Sequence, residues 1–375
     1  MRAILCGGGT AGHITPAISI AETILHNEPD SEILFVGRKG GDENEIVLKG
    51  GYSLKTIEVA PIVRKFNFQS IKSLFGILGA LKESRKIIED WRPDVVIGTG
   101  GYVSWPVARA AIMKNIPVVM HESNAVPGKA TKMLAKKCAK VLLNFPVSDG
   151  VFPEGTKLVT VGNPLREDIE KISRAEARRR LGFKNSDFVI LSFGGSGGAD
   201  VLNKSVIRLM QSYSSKIIRV KHIHATGKKY FAKIKEEFPL LSSGRLGTKI
   251  YPFINDMPTY LRSADIVISR CGAMTLSEVA AVGAIPILIP SPNVTDNHQY
   301  KNGRLLADKG AAIMIEESEL CDRALYDAVR YLEANPGIRA KMREALSTFH
   351  VKNSCEIIDR EISDVLRQNT YSASN

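Results

Sequence analysis

Near the start of the chain the run Ala3, Ile4, Leu5, Cys6 leads into Gly7, Gly8, Gly9 and Gly12, and His13 follows directly. Glycines let backbone approach a ligand closely, and the helix that Ile14, Ala17, Ile18 and Ala21 predict by their spacing offers unpaired N–H groups at its start. An anionic or strongly polar group is expected there, faced by Thr10 and His13. An imidazole, whose ordinary pKa is about 6.5, suits proton transfer at neutral pH. Two more turns of this kind occur, "GTGGYVSWP" and "FGGSGGAD", and the second carries Ser196, a hydroxyl donor for a phosphate oxygen.

Other polar groups cluster at the ends of apolar runs. "HESN" places His121, Glu122 and Asn124 just past "PVVM", and "NPLR" brings Arg166, a guanidinium suited to a diphosphate. "SRCGAMTLSE" sets Glu278 on a helix after a strand; one carboxylate can accept from two vicinal ribose hydroxyls. "DNHQ" supplies Asp296, Asn297, His298 and Gln299 together, a set suited to a many-hydroxyl sugar. Each has a plainer reading: helix packing for the turns, an exposed ion pair for Arg166, a structural imidazole for His121, a helix-start acid for Glu278.

Several chemistries fit poorly. Gly7, Gly9 and Gly12 satisfy G-x-G-x-x-G, but the second strand, "EILFVG", runs into Arg38 and Lys39 and lacks the acid that holds a ribose, so a hydride enzyme is not favoured. No glycine turn ends in Lys-Ser or Lys-Thr, and there is no D-x-D, H-E-x-x-H or His/Cys cluster, so neither a nucleoside-triphosphate loop nor a metal site is expected. "GGSGG" at 194–198 imitates a nucleophile elbow without an evident acid partner.

These groups need a scaffold that brings strand ends together. Across 375 residues, 44% hydrophobic, short apolar runs alternate with helical patterns, and the same grammar restarts after "VTVGNPL". That predicts an α/β chain of two doubly wound, Rossmann-like parallel sheets meeting near 162–166, with ligands at the carboxyl ends of the strands and a cleft between the domains. The net charge of +12 suggests an anionic partner. Five scattered cysteines without C-x-x-C suggest no disulfide framework and a reducing compartment. No run reaches the roughly 20 apolar residues of a spanning helix. In residues 60–88, however, Ile62, Val63, Phe66, Phe68, Leu74, Phe75 and Leu78 interleave with Arg64, Lys65, Lys72 and Lys82, a pattern suited to an anionic membrane surface.

Taken in order, "GGGTAGHITPA", "PDVVIGTGGYVSWP", "HESNAVPG", "VGNPLR", "FGGSGGADVLN", "FINDM", "SRCGAMTLSE" and "DNHQYKNG" resemble the MurG family of peptidoglycan glycosyltransferases, glycosyltransferase family 28, over nearly the whole chain. The resemblance implies a GT-B fold: an N-terminal acceptor and membrane domain over 1–163, a UDP-sugar domain over 164–345, and a last helix over about 346–370 that can pack back on the first. It implies an inverting transfer of N-acetylglucosamine from UDP-N-acetylglucosamine to the C4 hydroxyl of undecaprenyl-diphospho-muramoyl-pentapeptide. The enzyme would be peripheral, on the cytoplasmic face of the bacterial plasma membrane, with no cofactor and no nucleic-acid partner.

Carried over residue by residue, the acceptor side maps to Thr10, Gly12, His13, Tyr102, Glu122 and Asn124, with His13 the expected base and Glu122 the alternative. The UDP-sugar side maps to Arg166, Ser196, Ile254, Met274, Thr275, Leu276, Glu278, His298 and Gln299, with Thr10, Ala11, Gly12 and Asn124 contributing from the first domain. Two positions depart from the family's common pattern: Gly197, often a glutamine or other larger residue, and His298, where a second glutamine can occur. A UDP-sugar epimerase, another lipid glycosyltransferase and a basic membrane- or nucleic-acid-docking protein are the alternatives.

Overall fold

The computed structural model describes all residues except 9–10, 42, 60–67, 215–219, 245–246 and 375, and the side chains of some flanking residues, 11 and 68–75 among them, are likewise outside it. Thr10, Ile62, Val63 and Phe66 therefore lie outside the described residues, as do the side chains of Ala11, Phe68, Leu74 and Phe75. Leu78 is described: it is 57% exposed on the helix Phe68–Trp91. The chain divides into two units, Met1–Leu165 with Val351–Asn375, and Arg166–His350.

The first unit holds seven strands: β1 (Arg2–Cys6), β2 (Glu32–Arg38), β3 (Ser53–Ile57), β4 (Val95–Gly98), β5 (Val118–Glu122), β6 (Lys140–Leu143) and β7 (Leu158–Thr160). They lie in the order β3-β2-β1-β4-β5-β6-β7, each pair parallel. Parallel neighbours require crossovers, and helices such as Ala11–Asn27 and Gly101–Met113 supply them. Both faces of the sheet are therefore covered. Along β1, Ile4 and Cys6 enter one apolar layer with Val96 and Val107, while Ala3 and Leu5 enter the other with Ile14, Ala17, Ile20 and Ile24. The alternation explains why β1 is apolar at every inner position.

The second unit repeats the plan with six parallel strands: β8 (Phe188–Phe193), β9 (Val220–Ala225), β10 (Thr248–Tyr251), β11 (Ile266–Ser269), β12 (Ile285–Leu288) and β13 (Ile313–Met314), ordered β10-β9-β8-β11-β12-β13. In each sheet the strand order reverses once, between β1 and β4 and between β8 and β11. The chain leaves those two strands toward opposite faces, which opens a crevice at their carboxyl ends. The glycine turns after β1, β4 and β8 and the "SRCG" segment after β11 all lie at these two points.

The last helix, Ser354–Ser374, belongs to the first unit. Ile358, Ile362 and Val365 join Ile20 and Ile24 in one layer, Asn27 Nδ2 donates to Asp359 at 2.8 Å, and Lys140 Nζ lies 2.5 Å from Glu361 Oε2. The helix begins later than the sequence suggests. The helix Pro336–Ser347 stops first, and Asn353, in the left-handed region at φ 54°, cannot continue it. The chain passes from the first unit to the second after Leu165 and returns after His350.

Candidate active site

At the switch point of the first sheet, His13 is the third residue of the helix Ala11–Asn27. Its Nδ1 lies 3.2 Å from Thr99 O, while Thr99 Oγ1 donates to His13 O at 2.6 Å. A carbonyl oxygen only accepts, so Nδ1 carries a proton, and in the neutral ring Nε2 is then the basic nitrogen. The second glycine turn wraps this ring. A Cβ on Gly101, whose φ is 77°, would lie 2.0 Å from Gly8 O and 3.2 Å from His13 Cδ2, so only glycine permits the two turns to meet. Gly12 is exposed one residue before His13, and Tyr102 is half-buried against the apolar layer beneath the second turn.

Glu122 closes β5 and is 4% exposed. Its Oε1 accepts from Asn124 N at 3.1 Å and Asn124 Nδ2 at 3.2 Å; its Oε2 accepts from Gly128 N and Thr131 Oγ1, both at 2.9 Å. Four donors occupy the lone pairs that a base would need, so the carboxylate organises the 123–131 loop and orients Asn124. His121 takes the plainer of its two readings. It is fully buried, Nε2 donates to Gly162 O at 2.9 Å, and burial pulls its pKa below the ordinary value.

In the second unit, Ser196 sits exposed at the tip of the third turn, ahead of the helix Asp200–Ser214. Gly198, at φ 72°, rests on the residue that follows β9: a Cβ there would lie 2.1 Å from Thr226 O. Gly197 has open space around its Cβ position, so the departure from the family's pattern is not forced by packing. The helix Ala273–Val282 starts at Gly272 without a side-chain cap, and Met274 and Thr275 lie half-buried in its first turn. First-turn N–H groups have no partner within a helix, which makes this end a site for acceptor atoms of a ligand.

Glu278 lies beyond that first turn, so dipole stabilisation at a helix start does not account for it. Burial pushes its carboxyl up to about 7, with Arg166 pulling it down and Asp168 pushing it up. The structure thus brings Arg166 and Glu278 within electrostatic reach. Arg166 is 50% exposed and ion-paired with Asp168, its Nε donating at 3.3 Å. Leu276 and Ile254 are 1% and 4% exposed, and the Leu276 N–H already donates to Gly272 O at 3.0 Å. Both side chains are therefore buried in the second unit.

The "DNHQ" loop is held under strain. Asp296 and Asn297 both adopt left-handed backbone, at φ 55° and 51°. His298 Nδ1 donates to Thr295 O at 2.8 Å, and Gln299 Oε1 accepts from Ser291 N at 2.9 Å, leaving its amide N–H groups for other partners. Two participants escaped the sequence reading. Thr99 aligns His13, and Arg270 fastens the loop after β12 by donating to Ile289 O and Pro290 O while pairing with Glu317 at 2.5 Å. Arg270 lies inside the quoted "SRCGAMTLSE", which was the available signal. Among the described residues no group of three or more His, Cys, Asp or Glu could hold a metal ion.

Residues 3–143 match the glycosyltransferase family 28 N-terminal domain, and residues 189–357 match its C-terminal domain. A protein of Caldanaerobacter subterraneus subsp. tengcongensis, the "UDP-N-acetylglucosamine--N-acetylmuramyl-(pentapeptide) pyrophosphoryl-undecaprenol N-acetylglucosamine transferase", is 41% identical, covering 92% of this chain and 94% of that protein. The chain belongs to glycosyltransferase family 28. The crystal structure of Acinetobacter baumannii MurG agrees, with a TM-score of 0.77 at 25% identity over 97% of this chain and 99% of that one. The two parallel-sheet domains of this family 28 member are those of a GT-B glycosyltransferase. A Listeria monocytogenes structure described as a putative UDP-N-acetylglucosamine 2-epimerase has a TM-score of 0.68 at 11% identity, covering 98% and 97% of the two chains, which is likeness of fold alone.

Proposed function

We propose that this family 28 member transfers N-acetylglucosamine from UDP-N-acetylglucosamine to the C4 hydroxyl of undecaprenyl-diphospho-muramoyl-pentapeptide, inverting the anomeric centre. The observation that carries the mechanism is the contact of His13 Nδ1 with Thr99 O at a glycine-lined switch point, which in the neutral ring assigns the proton to Nδ1 and the basic role to Nε2. The acceptor oxygen attacks C1 of the donor sugar, the C1–diphosphate oxygen bond breaks, the proton passes to His13 Nε2, and UDP departs. Tyr102 and the Asn124 that Glu122 orients serve the acceptor. Arg166, Ser196 and the N–H groups of the third turn meet the charge growing on the leaving diphosphate, where such groups count most. Glu278 accepts the ribose hydroxyls.

The nucleotide needs no resident metal in this reading, because N–H groups and Arg166 supply the positive end. No described helix is long and apolar enough to cross a membrane. Peripheral attachment at the cytoplasmic face, through the 60–88 segment with its Leu78, goes with a lipid-linked acceptor. The test is UDP release from UDP-N-acetylglucosamine in chelator, with and without a short-chain lipid acceptor. Release only with acceptor, giving a disaccharide-lipid, supports the reading; donor epimerised at C2 without acceptor, or no donor chemistry with or without magnesium, overturns it.

A further inference from the structure

Beneath the third glycine turn runs a line of polar side chains to which the proposed mechanism gives no work. Ser192 on β8 is in register with His224 on β9, and His222, two residues before, shares its face. All three are fully buried. Asn203, on the helix Asp200–Ser214, is 1% exposed and reaches the same cluster. Apolar side chains would fill these positions without the cost of desolvating imidazole rings.

Hydrogen-bond roles along this line follow from its far end. Thr226 O only accepts, so Asn203 turns its Nδ2 toward it, at 2.9 Å, and its Oδ1 toward His224 Nε2, at 3.1 Å. His224 Nε2 therefore donates, and its Nδ1 accepts from Ser192 Oγ at 2.9 Å, a shorter contact for that one hydroxyl proton than Ile223 O at 3.3 Å. Ser192 Oγ in turn accepts from His222 Nε2 at 2.8 Å, which leaves His222 Nδ1 buried with no partner among the described residues. Ser192 O lies 3.1 Å from the same His224 Nδ1 and would suit a protonated ring, but burial pulls that pKa down to about 4. At neutral pH the line runs one way, from His222 to Thr226.

Its end point is the support of the turn. Thr226 O is the atom against which Gly198 packs, and a Cβ on Gly227 would lie 2.8 Å from both Gly197 O and Gly198 Cα. A shift of Thr226 therefore moves the 197–198 backbone. We propose that Ser192 and His224 are positioning residues for the sugar nucleotide: acting through Asn203 and Thr226, they hold the 194–198 turn where its N–H groups and Ser196 meet the diphosphate. This rests on the donor-site reading given above.

The test is UDP binding by titration calorimetry to the full chain and to Ser192→Ala, His224→Leu and His224→Gln, beside their melting temperatures and steady-state kinetics. His224→Leu strands Asn203 Oδ1 and is expected to weaken UDP about tenfold, to raise donor KM and to lower kcat because the same turn meets the leaving diphosphate, with acceptor KM unchanged. His224→Gln restores a donor near the Nε2 position and is expected to recover affinity to within about threefold. Ser192→Ala is expected to fall between them. Folded His224→Leu binding UDP like wild type overturns the proposal, as do Leu and Gln variants equally weakened, since packing alone would give that result. If His224→Leu fails to fold, wild-type affinity in Ser192→Ala overturns it. Failure of the wild-type chain to bind UDP overturns the donor-site reading and this proposal with it, an outcome separable from the others.

Discussion

Glu278 allows the donor reading to be tested with a proton. Its carboxyl is pushed up to about 7 by burial, against the opposing pull of Arg166. The ionised form accepts from both ribose hydroxyls; the protonated form turns one oxygen into a donor and loses one acceptance. With that pKa, roughly one-tenth of the chains are ionised at pH 6 and roughly nine-tenths at pH 8. If only the ionised chains are competent, apparent Kd for UDP-N-acetylglucosamine is about tenfold weaker at pH 6 than at pH 8, or about 1.4 kcal/mol. The sugar nucleotide's diphosphate does not titrate in this window, and an imidazole gaining a proton near it would act in the opposite direction.

The assay is calorimetric titration between pH 5.5 and 8.5 without acceptor, so that nothing turns over. Glu278→Gln should bind about ten- to a hundredfold more weakly at pH 8 and lose the slope. A flat wild-type profile, or an unchanged slope in Glu278→Gln, refutes the reasoning. Stability should move the other way. A carboxyl whose folded pKa is raised, from 4.5 to about 7, makes the fold less stable as pH rises through that interval. Glu278→Gln should therefore melt higher than wild type at pH 8, by up to about 3 kcal/mol of stability, with the gap closing toward pH 4.

Three further outcomes are expected. His13→Gln should lower kcat by about 10²- to 10⁴-fold while calorimetric donor affinity stays within about twofold; an undiminished kcat would remove His13 as the base. Gly198→Ala should destabilise the fold and raise donor KM, because its positive φ and the Thr226 carbonyl both oppose a Cβ. Gly197→Ala should be neutral or stabilising by about 0.4–1 kcal/mol, and equal melting losses for the two would contradict the described packing. Glu122→Gln should cost about 1–3 kcal/mol and raise acceptor KM by loosening the 123–131 loop, read by denaturant melts and lipid titration.

Much of this was legible in the sequence wherever one local pattern sufficed. Apolar runs ending in glycine marked β1, β4 and β8, and because ligands meet parallel sheets at such ends, the turns and His13 could be placed before any coordinates. β3 was not legible: "SLKTI" carries Ser53, Lys55 and Thr56 on an edge strand, where one side lacks a neighbour and the apolar signal thins. Partnerships formed by folding were also hidden. The ion pair between Arg166 and Asp168 was legible only as an alternative, and the four donors on Glu122, which give that carboxylate a role other than base, come from a loop whose shape the sequence does not announce. The line through His222 and His224 was hidden as well, because Ser192 and Asn203 approach them from other elements.

The return of the helix Ser354–Ser374 to the first unit has a consequence for synthesis. Ribosomes release residues in order, so the whole Arg166–His350 unit emerges before the helix that covers Ile20 and Ile24. The N-terminal half thus leaves the exit tunnel with an apolar layer still bare and must wait, through about ten to forty seconds of elongation at ordinary rates, for its closing piece. The unit made first is the one finished last.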